Sequence, residues 1–304
     1  MIDTAPAHRD FERQLTELRP KLHRYCARMT GSVLDGEDVV QEALLKAVEA
    51  LPQTASIANP GGWLFRIAHN AALDFLRRRA RHDAAHSDVD LDMIADPVNP
   101  VYDRQIAAAS LRTFMRLPVG QRSAVILRDV LGHSVQEVCD VMGGSIPAIK
   151  SALQRGRLRL RELAQEPDNT PGPVLAEPER ARLAAYVERF NARDFDSIRD
   201  MLADDVRLDL VNRLHAEGRG EVGEYFHRYW LSSDWQCVPG FVDRRPAILM
   251  CDPNDLEGRP VYFVLLDWAN DSVVSIRDFR FARYAIEGAE FLPWAEHDNA
   301  AQYP

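Results

Sequence analysis

Residues 132–162 read "GHSVQEVCDVMGGSIPAIKSALQRGRLRLRE", and this stretch decides how the rest of the chain is read. Apolar Val135, Val138, Val141 and Met142 recur at helical spacing between Ser134 and Met142, and the small Cys139 lets another helix approach. Gly143-Gly144 supplies a sharp turn, since glycine takes left-handed backbone without a Cβ penalty. Ser145 stands at an N-cap position, and Pro147 falls in the first turn of a second helix, where its missing N–H costs little. That helix turns Ile146, Ile149, Leu153 and Leu160 inward and leaves Lys150, Ser151, Gln154, Arg155 and Arg157 outside. The pattern is a helix-turn-helix, whose second helix fits the major groove of duplex DNA.

Upstream, "LDGEDVVQEALLKAVEAL" (34–51) places Val39, Val40, Ala43, Leu44, Ala47, Val48 and Leu51 on an apolar face, with acids at its N-terminal end where the helix dipole favours them. "PQTASIANPGG" (52–62) breaks the pattern as a loop. A further helix, "WLFRIAHNAALDFLRRRARH" (63–82), follows. Leu64, Ala68, Ala71, Ala72 and Phe75 lie on one side, and Arg66, Asn70, Asp74, Arg77 and Arg81 on the other. A solvated face would account for that arc. The unhelical Asn70 and five arginines within sixteen positions point instead to a phosphate-binding strip.

The formal net charge of the 304 residues is -9, but it is unevenly spread. It runs +2 over 1–81, -6 over 82–103, +6 over 104–163 and -11 over 164–304. Positive charge is local to the two helical stretches, and a phosphate backbone is felt only within about 10 Å. The acidic stretch 82–103 reads as an extended connector, and "EPDNTPGPVLAEPER" (166–180) as an interdomain linker. Cys26, Cys139, Cys237 and Cys251 show no metal-ligand spacing, so no metal or cofactor is expected; they read as small buried residues of a reducing compartment. The polar beginning of the chain and the lack of a long apolar run predict a cytoplasmic protein with no membrane partner.

Past the linker come two helices, "EPERARLAAYVERFNARDFDSIRDML", then "DDVRLDLVNRLH" as a strand and "GEVGEYFHRYWLSS" as a short helix. "PAILMCDP", "RPVYFVLLDWAND" and "SVVSIRDFRFARYAIEG" follow as strands, which together predict an α+β domain with helices on one face of a sheet.

Four segments together resemble the extracytoplasmic-function (ECF) branch of the bacterial sigma-70 factors. "DGEDVVQEALLKA" is similar to region 2.2 and "NPGGWLFRIAHNAALDFLRRRAR" to regions 2.3 and 2.4. "LPVGQRSAVILRDVLGHSVQEV" resembles region 4.1, and the helix-turn-helix resembles region 4.2. The resemblance implies a region 2 helical bundle over 1–82, an acidic linker over 83–104, region 4 over 105–165 and a Pro-rich linker over 166–178. It implies a factor that binds core RNA polymerase and directs it to promoter DNA. Asp35, Glu37, Asp38, Gln41 and Glu42 would then meet the β′ clamp helices, and region 4 the β flap. Trp63, Arg66, Asn70, Asp74, Arg77 and Arg78 would meet the -10 element, with Trp63 as a core anchor or a stacking platform. Lys150, Ser151, Gln154 and Arg155 would read the -35 element, although Ala152 and Gly156 depart from the family pattern. The acidic connector is either a mimic of nucleic acid or a plain tether, and an anti-sigma factor is a further implied partner.

Residues 179–304 resemble the SnoaL-like branch of the NTF2 fold, a cone of helices over a curved antiparallel sheet with a pocket that takes a small-molecule ligand. Asp209 and His215 are the candidate catalytic pair. Strand alternation puts them on one face, which is either the pocket or the exposed side. Trp230, Trp235 and Trp268 are expected to line the core or a vestigial pocket. The reading favoured is non-enzymatic: an ECF sigma factor with a regulatory C-terminal domain. The alternatives are a SnoaL-type enzyme fused to a DNA-binding module, and an operator-binding repressor.

Overall fold

The computed structural model describes residues 5–51, 57, 59–83, 109–166, 171–231 and 235–294. The chain divides into two compact units, 1–169 and 170–304. No helix among the described residues is long and apolar enough to cross a membrane.

The first unit is helical: α1 (Ala5–Thr30), α2 (Val33–Ala50), α3 (Pro60–Asp83), α4 (Leu111–Met115), α5 (Val119–Val125), α6 (Val135–Met142) and α7 (Ile146–Leu163), with a π-helical turn Ile126–Val130 after α5. Local chemistry sets the boundaries. Ser32 accepts hydrogen bonds from the Leu34 and Asp35 amides and starts α2. Asn59 accepts from the Gly62 amide at 3.0 Å and caps α3. Ser134 and Glu137 form a reciprocal capping box at α6, and Ser145 caps α7. Glycine permits one very close helix contact: a Cβ on Gly36 would lie 2.6 Å from the Ala27 backbone of α1. The acidic connector expected over 83–104 lies, from residue 84 on, outside the described residues.

Two apolar expectations change. Val48 is 49% exposed and Ile146 42% exposed; each sits at the rim of its helical stripe, where no neighbouring element covers it. Regions 2 and 4, expected as separate bodies, share one apolar core that runs from Leu22, Tyr25 and Phe65 to Phe114, Val125 and Val138.

The second unit comprises α8 (Glu177–Asn191), α9 (Phe195–Asp200), α10 (Arg219–Trp230) and a seven-stranded sheet. Its strands are β1 (Leu202–Leu210), β2 (Leu214–Glu217), β3 (Gln236–Val242), β4 (Arg245–Cys251), β5 (Pro260–Ala269), β6 (Ser272–Asp278) and β7 (Phe291–Pro293). They run in the order β2-β1-β6-β5-β4-β3-β7, all antiparallel except β1 with β6. The helices pack on the sheet through Tyr186, Phe190, Phe226 and Tyr229, and Trp235, just before β3, joins the same core. The α+β expectation therefore holds. The single strand expected over 204–215 instead folds back at Asn212, which takes φ +65°, and becomes the β1–β2 hairpin.

Gly36→Ala should lower the melting temperature. Overpacking costs about 1–3 kcal/mol, against a helix-propensity gain of about 1 kcal/mol, and calorimetry should show a net loss of a few degrees.

Candidate nucleic-acid interface

The outer strip of α7 is built by exclusion. Ile149, Leu153, Gly156, Leu160 and Leu163 are buried, which turns Lys150, Ser151, Gln154 and Arg155 to the opposite side. Lys150 is exposed and the other three half-buried. Arg155 Nη1 donates to Ser151 Oγ at 3.2 Å, which aligns two of the four along the helix. Gly156, unusual for the family, lies where α7 crosses α5: a Cβ there would meet Val125 Cγ2 at 2.7 Å and the Gln121 carbonyl at 3.2 Å. Arg157 corrects the outward expectation. It pairs with Asp129 through Nε at 2.8 Å, and the Asp129 side chain is 2% exposed, so this cation fastens α7 to the π-helical turn.

On α3, Leu64, Ala68, Ala71 and Ala72 are buried, Phe75 is half-buried, and Arg66, Asn70, Arg77 and Arg78 are exposed. Trp63 packs against the core as a partly buried anchor. The arginines of α3 face the acids of α2. Arg78 donates to Glu42 at 2.8 Å, Arg79 to Asp35 at 3.3 Å, and Arg77 to Asp74 at 3.1 Å within the helix. Lys46 also holds Glu42, at 2.7 Å. These cations hold the Glu42 carboxyl below its ordinary range, with the Arg78 hydrogen bond foremost. Exposed pairs of this kind contribute only about 0–1 kcal/mol each, so a phosphate or a protein cation can displace them. Among the described residues, no ion pair involves Arg66 or Lys150.

Asp38 is exposed, and Asp35, Gln41 and Glu42 are half-buried. Glu37 corrects the expectation for this face. It is fully buried and paired with Arg19 of α1, so it holds α1 to α2 and presents nothing to a partner.

Sequence reasoning missed a buried polar cluster where regions 2 and 4 join. Tyr25 Oη lies 2.7 Å from His69 Nδ1 and 2.8 Å from Ser123 Oγ. With one proton, Tyr25 donates across one contact and accepts across the other. Arg122, 4% exposed, donates to the carbonyls of Met29 at 2.6 Å, Leu117 at 3.0 Å and Met115 at 3.1 Å. Burial pulls the Arg122 guanidinium down to about 10, still charged at neutral pH. It pulls the His69 imidazole down to about 4. The one visible signal was Arg122 beside the apolar run "AVIL".

In the second unit, Asp209 and His215 are cross-strand partners in the β1–β2 hairpin, with His215 Nδ1 3.3 Å from Asp209 Oδ1. Arg277 Nε holds the other Asp209 oxygen at 3.2 Å, and the His215 side chain is 77% exposed. Val206, Leu208 and Leu210 turn to the core, which puts Asp209 on the opposite face, in an open cleft of about 760 Å³ with Arg207, Glu217 and Ser275. The buried polar centre is Asp278. It accepts from Tyr229 at 2.7 Å, Tyr225 at 2.9 Å and the Arg280 amide at 2.7 Å, and burial pushes its carboxyl up. Trp235 is buried and Trp268 partly buried as expected. Trp230, the last residue of α10, is instead 58% exposed and stacks on the His227 ring.

Residues 15–82 match the family model for sigma-70 region 2, and residues 111–160 the model for sigma-70 region 4. The ECF RNA polymerase sigma factor SigM of Mycobacterium tuberculosis is 33% identical over 157 residues, 50% of this chain and 76% of that protein. The chain is an ECF sigma factor. SigG of M. tuberculosis is also 33% identical, over 215 residues, 62% of this chain, and the chain spans only 58% of SigG. Among solved structures, M. tuberculosis SigJ is 20% identical over 86% of this chain and 93% of its own, with a TM-score of 0.34. An NTF2-like protein from Cytophaga hutchinsonii is 15% identical over 32% of this chain and 95% of its own, with a TM-score of 0.26.

His69 supplies a pH prediction. Below about 6.5 the unfolded imidazole takes up a proton that the folded one refuses until about 4. The stability attached to this group is therefore present above 6.5 and is lost as pH falls through that window. An NMR titration of the His69 ring should place its midpoint near 4; a midpoint near 6.5 would show a solvated ring.

Proposed function

We propose that this ECF sigma factor binds core RNA polymerase and carries it to bipartite promoters, α7 reading the -35 element and α3 the -10 element. One observation carries the reading: the basic strip Lys150, Ser151, Gln154 and Arg155 faces outward on the second helix of a capped helix-turn-helix. Its chemistry suits DNA. Arginine pairs with guanine edges, glutamine with adenine, and lysine with phosphate. At the -10 element Arg66, Arg77 and Arg78 follow phosphates, Asn70 and Asp74 offer groups to base edges, and Trp63 fixes the helix beneath them. Asp35, Asp38, Gln41 and Glu42 form the face for the β′ clamp helices, and region 4 meets the β flap. An anti-sigma factor would compete for these surfaces, in the cytoplasm where the polymerase resides.

The second unit acts in this proposal as a regulator of the sigma unit, not as an enzyme. Its Asp209–His215 pair stands on an open face with His215 largely in solvent, where nothing excludes water from a reaction.

Run-off transcription with purified core polymerase and genomic templates tests the proposal. The chain should yield transcripts absent with core alone. Lys150→Ala with Arg155→Ala should reduce them roughly tenfold or more, since each good base contact contributes about 1–3 kcal/mol. Removing residues 166–304 should change their level. Absence of chain-dependent transcripts would contradict the proposal.

A further inference from the structure

One end of the second unit gathers cations around aromatic rings, although the formal charge over 164–304 is -11. The topology makes the gathering. β1 and β6 run parallel and end together, and β5, antiparallel to β6, begins at that end. The last turn of α10 arrives there too, since Tyr229 donates to Asp278 at the close of β6. The chain beyond β6 therefore lays Arg280, Phe281 and Arg283 near the β1–β2 turn and the end of α10. The Arg280 guanidinium lies 5.1 Å from the centre of the Tyr229 ring, and that of Arg283 5.9 Å from the centre of Tyr262. Arg213, in the β1–β2 turn, lies 5.4 Å from the centre of the Phe281 ring.

Two rings at this end face water. Trp230 is 58% exposed and backed on one side by the His227 ring 6.2 Å away, and Phe281 is 43% exposed. Arg213 and Arg283 are exposed as well. Among the described residues, no acid pairs with either. Asp278 is buried beneath Tyr225 and Tyr229, and in the β4–β5 loop, which opens at the same end, Arg259 meets both Asp255 and Glu257. Cations beside exposed rings suit a strand whose bases are unpaired. A ring stacks on the face of any base, and guanidinium groups follow the phosphates. A duplex keeps its base faces covered, and an acidic peptide offers carboxylates but no planar face for the rings.

We propose that this end of the second unit binds single-stranded nucleic acid, with Trp230 and Phe281 as stacking surfaces and Arg213, Arg280 and Arg283 as phosphate contacts. The source of the strand rests on the proposed function, since an initiating polymerase both exposes a melted DNA strand and makes a transcript. The binding itself needs no polymerase. It gives the regulatory role of the second unit a ligand, whose presence reports that a strand has been opened.

Ultraviolet cross-linking of the full chain to labelled oligothymidylate, followed by peptide mapping, separates this site from any strand held by the first unit. A length of about 20 nucleotides exceeds the usual site on such a groove. Adducts are expected on the peptides that hold Trp230 and Phe281. Arg213→Gln with Arg283→Gln leaves both rings in place and should lower the yield of those adducts several-fold. It should also flatten the salt dependence, since each phosphate contact contributes about 0.7 to the slope on a single strand. Arg213→Lys with Arg283→Lys should keep most of the yield. Unlabelled oligothymidylate should compete far better than its duplex with oligoadenylate, and far better than polyglutamate. Oligouridylate competing better than oligothymidylate would assign the strand to a transcript, and the reverse to opened promoter DNA. Adducts confined to the first unit, no effect of the Gln variant, or equal competition by duplex or polyglutamate would overturn the site. None of these results bears on chain-dependent transcription, by which the sigma reading stands or falls separately.

Discussion

The first unit depends on a buried guanidinium. Arg122 sits beneath the end of α1 and donates to three carbonyls that have no helical partner. Those carbonyls belong to α1, to α4 and to the loop after it. One side chain thus satisfies the ends of two helices and fixes a third against them. A charge in such a place is tolerated because both terminal nitrogens of the guanidinium are hydrogen-bonded to carbonyls, while its Nε has no partner. Around that pin the apolar faces of α1, α3, α5 and α6 close into one core, and the two cationic strips are held on its surface.

The strips differ in how they are kept. On α7 Lys150 stands exposed and Arg155 reaches only the Ser151 hydroxyl, whereas Arg157 pairs with Asp129 and Arg159 with Glu162. On α3 most of the arginines lean on acids of α2 or of their own helix. The protein as a whole is acidic, so free DNA meets repulsion from most directions and finds attraction at two small places. Part of that attraction is already spent on internal pairs. Under the proposed function, a polymerase that engages the acids of α2 would release the arginines beside them, and docking and promoter contact would be joined through ordinary electrostatics.

Much of this was legible in the order of residues because it follows from local rules. Capping serines, the double glycine, and apolar spacing marked α6 and α7, and the strip proposed to read the -35 element is what remained outside once the inward positions were taken. Composition alone marked the change from helices to strands after the linker. What could not be read depends on partners distant in the chain. Glu37 resembles any acid at a helix start until Arg19 crosses over it, and Arg157 resembles its basic neighbours until Asp129 claims it. The fold-back at Asn212 turned one expected strand into two and converted Asp209 and His215 from strand-mates into cross-strand partners. Tyr25, His69 and Ser123 meet across as many as 98 positions, and no periodicity records such a meeting.

The central claim is that these two basic surfaces select promoter DNA only on the polymerase. It is tested most directly by titrating a labelled promoter duplex with the pure chain, and with the chain plus core polymerase, across a range of salt. The account predicts no preference for the promoter over random duplex by the chain alone, and a clear preference once core is present. Tight, strongly salt-dependent and sequence-selective binding by the chain alone would contradict it, and would mark the protein as an operator-binding regulator.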